Sequence, residues 1–138
     1  MEHEYLVMKL GYINGIDFYK EHMSVIGEFG YVDLARAGKK YLDFSRIEEP
    51  YFFIKESVKG GNRVFKAFVY KDGSIEKHVP DYYAHLNLKN ASWIRINRLE
   101  VVNKDLLLEK YKMKNGKDIK ALDKGAVSYF FITDAVIE

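Results

Sequence analysis

Apolar positions along this chain follow strand spacing for most of its length and helical spacing in one early stretch. Tyr5–Leu10 is an apolar run broken by a single lysine and predicts a first strand. After the loop Gly11 to Gly15 the period changes. Ile16, Tyr19, Met23, Ile26 and Phe29 recur at steps of three or four, which predicts one face of a helix capped by Asn14, with Asp17 in its first turn and Gly30 as its stop. Tyr31–Ala35 reads as a short strand, Gly38-Lys39-Lys40 as a turn, and Tyr51–Ser57 after Pro50 as a strongly β-prone run. Arg63–Lys71 alternates cleanly, and Asp72-Gly73 predicts a hairpin that returns through Ser74–Val79. Pro80–Asn90 has no clean period and reads as a loop with one helical turn. Trp93–Val102 is the longest strand candidate. Ile94 and Ile96 share one parity while Leu99 and Val101 take the other, so a bulge near Asn97-Arg98 is expected. Lys104–Tyr111 predicts a short helix, Asn115-Gly116 a turn, and Val127–Thr133 a last strand.

Strands dominate this order, and 138 residues suit one domain. The expected class is therefore α+β, with aromatic strands closing into a small twisted barrel that removes its own edges. Charge changes the picture little at first: 22 basic against 20 acidic residues leave +2, which excludes a polycation and permits a local basic face. With no cysteine, disulfides, thiolate metal sites and cysteine nucleophiles are excluded. No apolar run is long enough to span a bilayer, and Met-Glu-His-Glu does not open a secretory signal, so no membrane partner and a cytoplasmic location are expected.

Catalytic chemistry is hard to find. No phosphate-binding glycine loop, HExxH or nucleophile elbow occurs. His78, Asp81 and His85 lack the spacing of a metal site, and Glu48, Glu49 and Glu56 read as solvated charges rather than an acid–base pair. The expectation is a protein that is not an enzyme and carries no metal or cofactor. Aromatic content points elsewhere. Eleven tyrosines, nine phenylalanines and one tryptophan exceed what a small core hides, because every buried tyrosine hydroxyl needs a partner. Basic residues gather near several of these rings: Arg36, Lys39 and Lys40 after Tyr31, and Lys89, Arg95 and Arg98 around Tyr82, Tyr83 and Trp93. A third, lysine-rich cluster runs from Lys110 to Lys124. Interleaved rings and cations suit a ligand made of flat bases and phosphates.

Several blocks also resemble, in order, the YTH and EVE branch of the PUA-like superfamily. They are Tyr5 to Lys9, Gly30 to Asp33 followed by Gly38 to Leu42, Pro50 to Ile54, Phe65 to Ala67, Trp93 to Ile96, and Val101 to Asn103 with Leu106. The resemblance implies a small PUA-like barrel with flanking helices that holds a modified base in an aromatic cage. Carried over, it implies Tyr31, Tyr82, Tyr83 and Trp93 as the base cage, with Tyr31 standing where the family has tryptophan. Asp33 and Ser57 would bond the base edge, and Arg36, Lys39, Lys40, Lys89 and Arg95 would contact phosphates. Similar domains open McrBC-type restriction proteins, ahead of an AAA+ GTPase motor, and read methylated DNA. The chain, ending directly after its last predicted strand, is expected to be such an N-terminal module. An RNA-binding module of the same fold, and a protein-interaction domain without nucleic acid, are the alternatives.

Overall fold

The structure, a computed structural model, describes residues 3–37, 42–119, 122 and 128–134. The described elements are, in chain order, β1 (Glu4–Leu10), α1 (Phe18–Phe29), β2 (Val32–Arg36), β3 (Tyr51–Glu56), β4 (Val64–Val69), β5 (Ser92–Val102), α2 (Lys104–Lys110), β6 (Tyr111–Met113) and β7 (Tyr129–Asp134). Short 3-10 turns at Phe44–Arg46 and Asp81–His85 lie between β2 and β3 and between β4 and β5. The strands form one mixed sheet in the order β2-β5-β4-β3-β1-β7-β6. Among the described strands only the β1–β3 pair is parallel, because α1 and β2 lie between those two strands in the chain and carry it back to the same end. This is a small α+β domain. Among the described residues, no helix is long and apolar enough to cross a membrane.

Strand alternation gives the sheet two apolar faces. Leu6, Met8, Phe52, Ile54, Phe65, Ala67, Val32, Leu34, Ile94 and Ile96 point to one side, where Phe18 and Val25 of α1 pack on them. Tyr5, Val7, Phe53, Val64, Phe130 and Ile132 point to the other, where Leu107 of α2 and Tyr111 cover one end. The sheet curls around the first face, so that the guanidinium of Arg36 on β2 lies 5.2 Å from the ring of Tyr129 on β7. Curling stops short of the expected barrel. β2 and β6 remain edges of the described sheet, and β6 is only three residues long, too short to close a ladder along β2.

The bulge in β5 falls where the parity slip placed it. Phe68 pairs with Arg98 and Val69 with Ile96, leaving Asn97 as the extra residue. Other expectations need correcting. α1 begins at Phe18, not Ile16, and its cap is Asp17, whose carboxylate accepts the Lys20 amide, rather than Asn14. Its buried ridge is Phe18, His22 and Val25, while Phe29 is exposed. Reading histidine as polar moved the predicted face by part of a turn. Residues Ser74–Val79 form no strand, since Ile75 is fully exposed and offers the sheet no apolar face. The strand β6 was not expected, being too short for alternation to register. Gly38, Lys39, Lys40, Lys120, Lys124 and Val127 lie outside the described residues.

Gly30 ends α1 in the left-handed region, at φ 87°, with its amide bonded to the Ile26 carbonyl at 2.7 Å. A Cβ there would meet nothing within 4 Å, so only backbone strain opposes a side chain. Gly30→Ala should therefore lower the unfolding free energy by about 1–2 kcal/mol, as read from urea denaturation.

Candidate nucleic-acid interface

β2 and β5 pair with Asp33 opposite Arg95 and Ala35 opposite Trp93. These four side chains therefore share the sheet face away from α1. There the segment 70–80 folds over the sheet and bonds to side chains rather than to a ladder. Arg95 donates from Nε to Asp33 Oδ1 at 2.9 Å and from Nη2 to Asp33 Oδ2 at 3.3 Å, and it also holds Asp72 and the carbonyls of Ser74 and Glu76. The His78 amide donates to Asp33 Oδ2 at 2.9 Å, and the Asp33 amide donates to the His78 carbonyl at 2.8 Å. Hydrogen bonds from Asp33 and Asp72 push the Arg95 guanidinium further up from an already high value. One charged knot thus staples an otherwise irregular segment to the sheet.

The rings predicted to form a cage separate into two groups. Tyr31 lies under this knot. Its hydroxyl donates to the Glu76 carbonyl at 2.7 Å, the Arg95 guanidinium covers its ring at 4.1 Å, and Tyr70 and His78 flank it with centroids at 5.8 and 5.2 Å. His78 in turn stacks on Phe29 at 3.8 Å. Tyr83, Tyr82 and Trp93 form the second group. Tyr83 touches Trp93 at 6.3 Å and Tyr82 at 5.0 Å. The Tyr83 hydroxyl bonds to Nε2 of the fully buried His22 at 2.6 Å and accepts from the Ala35 amide at 3.3 Å. Burial raises its pKa, and burial likewise pushes the half-buried Tyr82 up to about 12. Tyr31 and Tyr83 are thus both buried, with hydroxyls satisfied internally. They back the site rather than line it.

Trp93 does line an open cavity. A space of about 280 Å³ lies beside it, bounded by Phe44, Ile47, Val69, Tyr70, Lys71 and Arg95 among others. This is just below the usual size of small-molecule sites and has room for one flat ring system. On the tryptophan itself, Lys77 places its ammonium 3.6 Å from the ring centroid. Spacing along the sequence did not reveal Tyr70, Lys71, Lys77 or Phe44 as parts of this site. Tyr70-Lys71 just before the predicted Asp72-Gly73 turn was the available signal, since a strand end beside a loop is where a side chain reaches an open edge.

The other predicted contacts lie elsewhere. Arg36 is buried on the concave face, where burial lowers its pKa and Tyr129 faces it. Ser57 sits at the opposite end of the β3–β4 pair from Tyr70, and its Oγ accepts the Gly60 amide. Lys89 is exposed on the loop before β5. Asp33 has both carboxylate oxygens occupied by Arg95 and His78. Among the described residues, no group of three or more His, Asp or Glu side chains is placed to hold a metal ion.

No protein-family model matches this chain, and no curated protein or solved structure matches it.

Proposed function

We propose that this domain is a non-catalytic reader of modified-base DNA, which takes an extruded methylated base into the cavity beside Trp93. The observation that carries the reading is the joining, in one open space of about 280 Å³, of Trp93, Tyr70 and Phe44 with Lys71 at the edge and Lys77 over the indole. Extruding a base costs a few kcal/mol. Stacking returns about 1–3 kcal/mol per ring, so two ring walls offset it. The methyl carbon adds only about 0.8 kcal/mol by area, so discrimination rests on the fit of the walls around it. Phosphates fall to Lys71 and Lys77, which position the strand without reading it. In this reading the curled sheet is an opened relative of the PUA-like barrel. The module acts as the specificity domain of a modification-dependent restriction system, joined to an AAA+ GTPase. RNA carrying a modified or unpaired nucleotide is the second reading, since the same slot accepts either sugar.

The chain has a single tryptophan, so its emission reports this slot directly. Titration with duplex DNA containing a central methylated base should quench it more than the unmethylated duplex or matched RNA does. Trp93→Ala and Tyr70→Ala, followed by anisotropy, should each weaken binding about fivefold or more. Unchanged affinity in both variants rejects the slot. An affinity indifferent to salt rejects phosphate contacts and favours a protein partner.

A further inference from the structure

We propose that the outer face of the sheet next to this slot is a stacking track for single-stranded nucleic acid, so that the strand delivering the base is unpaired over several nucleotides. This extends the reading above and rests on it for the position of the slot.

The track is built by alternation and by the bulge. Lys66, Phe68 and Tyr70 follow at two-residue steps along β4, about 7 Å apart, and so share the outer face. Tyr70, just past β4, stays in the ladder because its amide donates to the Arg95 carbonyl at 2.9 Å. On β5 the extra residue Asn97 has a consequence for side-chain direction. Three positions separate Arg95 from Arg98, which in an unbroken strand would send the two to opposite faces. The bulge returns Arg98 to the outer face beside Arg95 and Trp93.

Rings and cations alternate along the result. Arg98 lies opposite Phe68 with its guanidinium 5.3 Å from the ring centroid, and Tyr51 lies opposite Phe68 on the other side at 6.0 Å. Lys66 sits 3.9 Å from the Tyr51 centroid and 5.3 Å from that of Phe68. Tyr51 stacks in turn on Tyr5 at 4.9 Å. Phe68, Tyr51 and Lys66 are only partly buried, and the Arg98 side chain is 64% exposed. Phe68 belongs to neither buried cluster, although Tyr51 beside it packs on the outer one. Stacked bases over the rings with phosphates on the two cations suit this arrangement, and bases paired in a duplex do not present their faces. Glu100 pairs with Arg98 and lies across from Lys66. It neutralises part of the track in the free protein and is the group a phosphate displaces.

The test uses the full chain with a fluorescent trinucleotide, a nonanucleotide and the duplex of the nonanucleotide, each with one methylated base. The nonanucleotide should bind more tightly than the trinucleotide, and more tightly than the duplex. Lys66→Gln with Arg98→Gln should weaken the nonanucleotide about tenfold and reduce its salt slope by about 1.4, while leaving trinucleotide quenching of Trp93 unchanged. Phe68→Ala should weaken it about fivefold or more, and Glu100→Gln should strengthen it. Circular dichroism confirms that each variant folds. A duplex preference, a nonanucleotide no tighter than the trinucleotide, or silent Lys66/Arg98 and Phe68 variants overturns the track. Losses in these variants with Trp93→Ala silent reject the slot and leave the track standing.

Discussion

Asp33→Ala is expected to lower the unfolding free energy by about 3 kcal/mol, a drop of roughly 10 °C in melting temperature for a chain of this size. Asp33 is 6% exposed, and the side chain of its partner Arg95 is 15% exposed. Removing the carboxylate takes two hydrogen bonds from Arg95 and one from the His78 amide. The loss is placed at the lower end of the range for broken buried pairs because Arg95 keeps Asp72 and the Ser74 and Glu76 carbonyls. Asp33→Asn retains an acceptor without the charge and should lose about half as much. Amide hydrogen exchange should show residues 70–80 opening first in both variants, since the knot is what fastens them. A melting temperature within about 2 °C of the parent in Asp33→Ala would mean that the remaining partners hold Arg95 and the segment unaided.

Acid should destabilise this domain through His22. The Nδ1–H donates to the Phe18 carbonyl at 2.9 Å, which leaves Nε2 to accept the Tyr83 hydroxyl proton at 2.6 Å. The neutral form thus satisfies both ring nitrogens. A second proton would face the Tyr83 hydroxyl hydrogen at a fully buried position. Burial lowers the pKa to about 4 from 6.5. The unfolded chain takes up its proton near 6.5 and the folded chain only near 4, so stability is full above 6.5 and falls as the pH drops through this window. The integrated loss is about 3 kcal/mol. Denaturant titrations at neutral pH and near pH 4 should show it, and His22→Gln should flatten the dependence while lowering stability at neutral pH. An unaltered slope in His22→Gln would assign the acid sensitivity to the carboxylates instead.

The two expectations differ in how far they could be read from residue order. The helix around His22 was plain from spacing, yet the residue at the centre of its buried ridge was the one polarity argued against. Burial of a histidine depends on a partner, and Tyr83 is 61 residues away in the chain. Arg95 shows the same limit. A cation between Trp93 and Ile96 on an aromatic strand suits a phosphate, and it also suits a carboxylate. Asp33 and Asp72, 62 and 23 residues away, take it. Ser74–Val79 failed as a strand for a related reason. The Asp72-Gly73 turn is a local signal, but pairing requires an apolar face toward the core, and the carbonyls here found Arg95 and Tyr31 first.

What residue order determined by itself was local: the strands β1 to β5 and β7, the stop at Gly30, the 3-10 turn near Tyr82, and the bulge at Asn97. Each depends on backbone sterics, on alternation, or on a side chain bonding within a few residues of itself. The tertiary structure decided whether the sheet closes, which of the predicted rings stay open, and which cations remain available. Tyr31 and Tyr83 are sealed while Trp93 borders a cavity, because a ring's exposure depends on whether a distant donor, acceptor or cation covers it. That is a property of through-space neighbours, and spacing along the chain does not encode them.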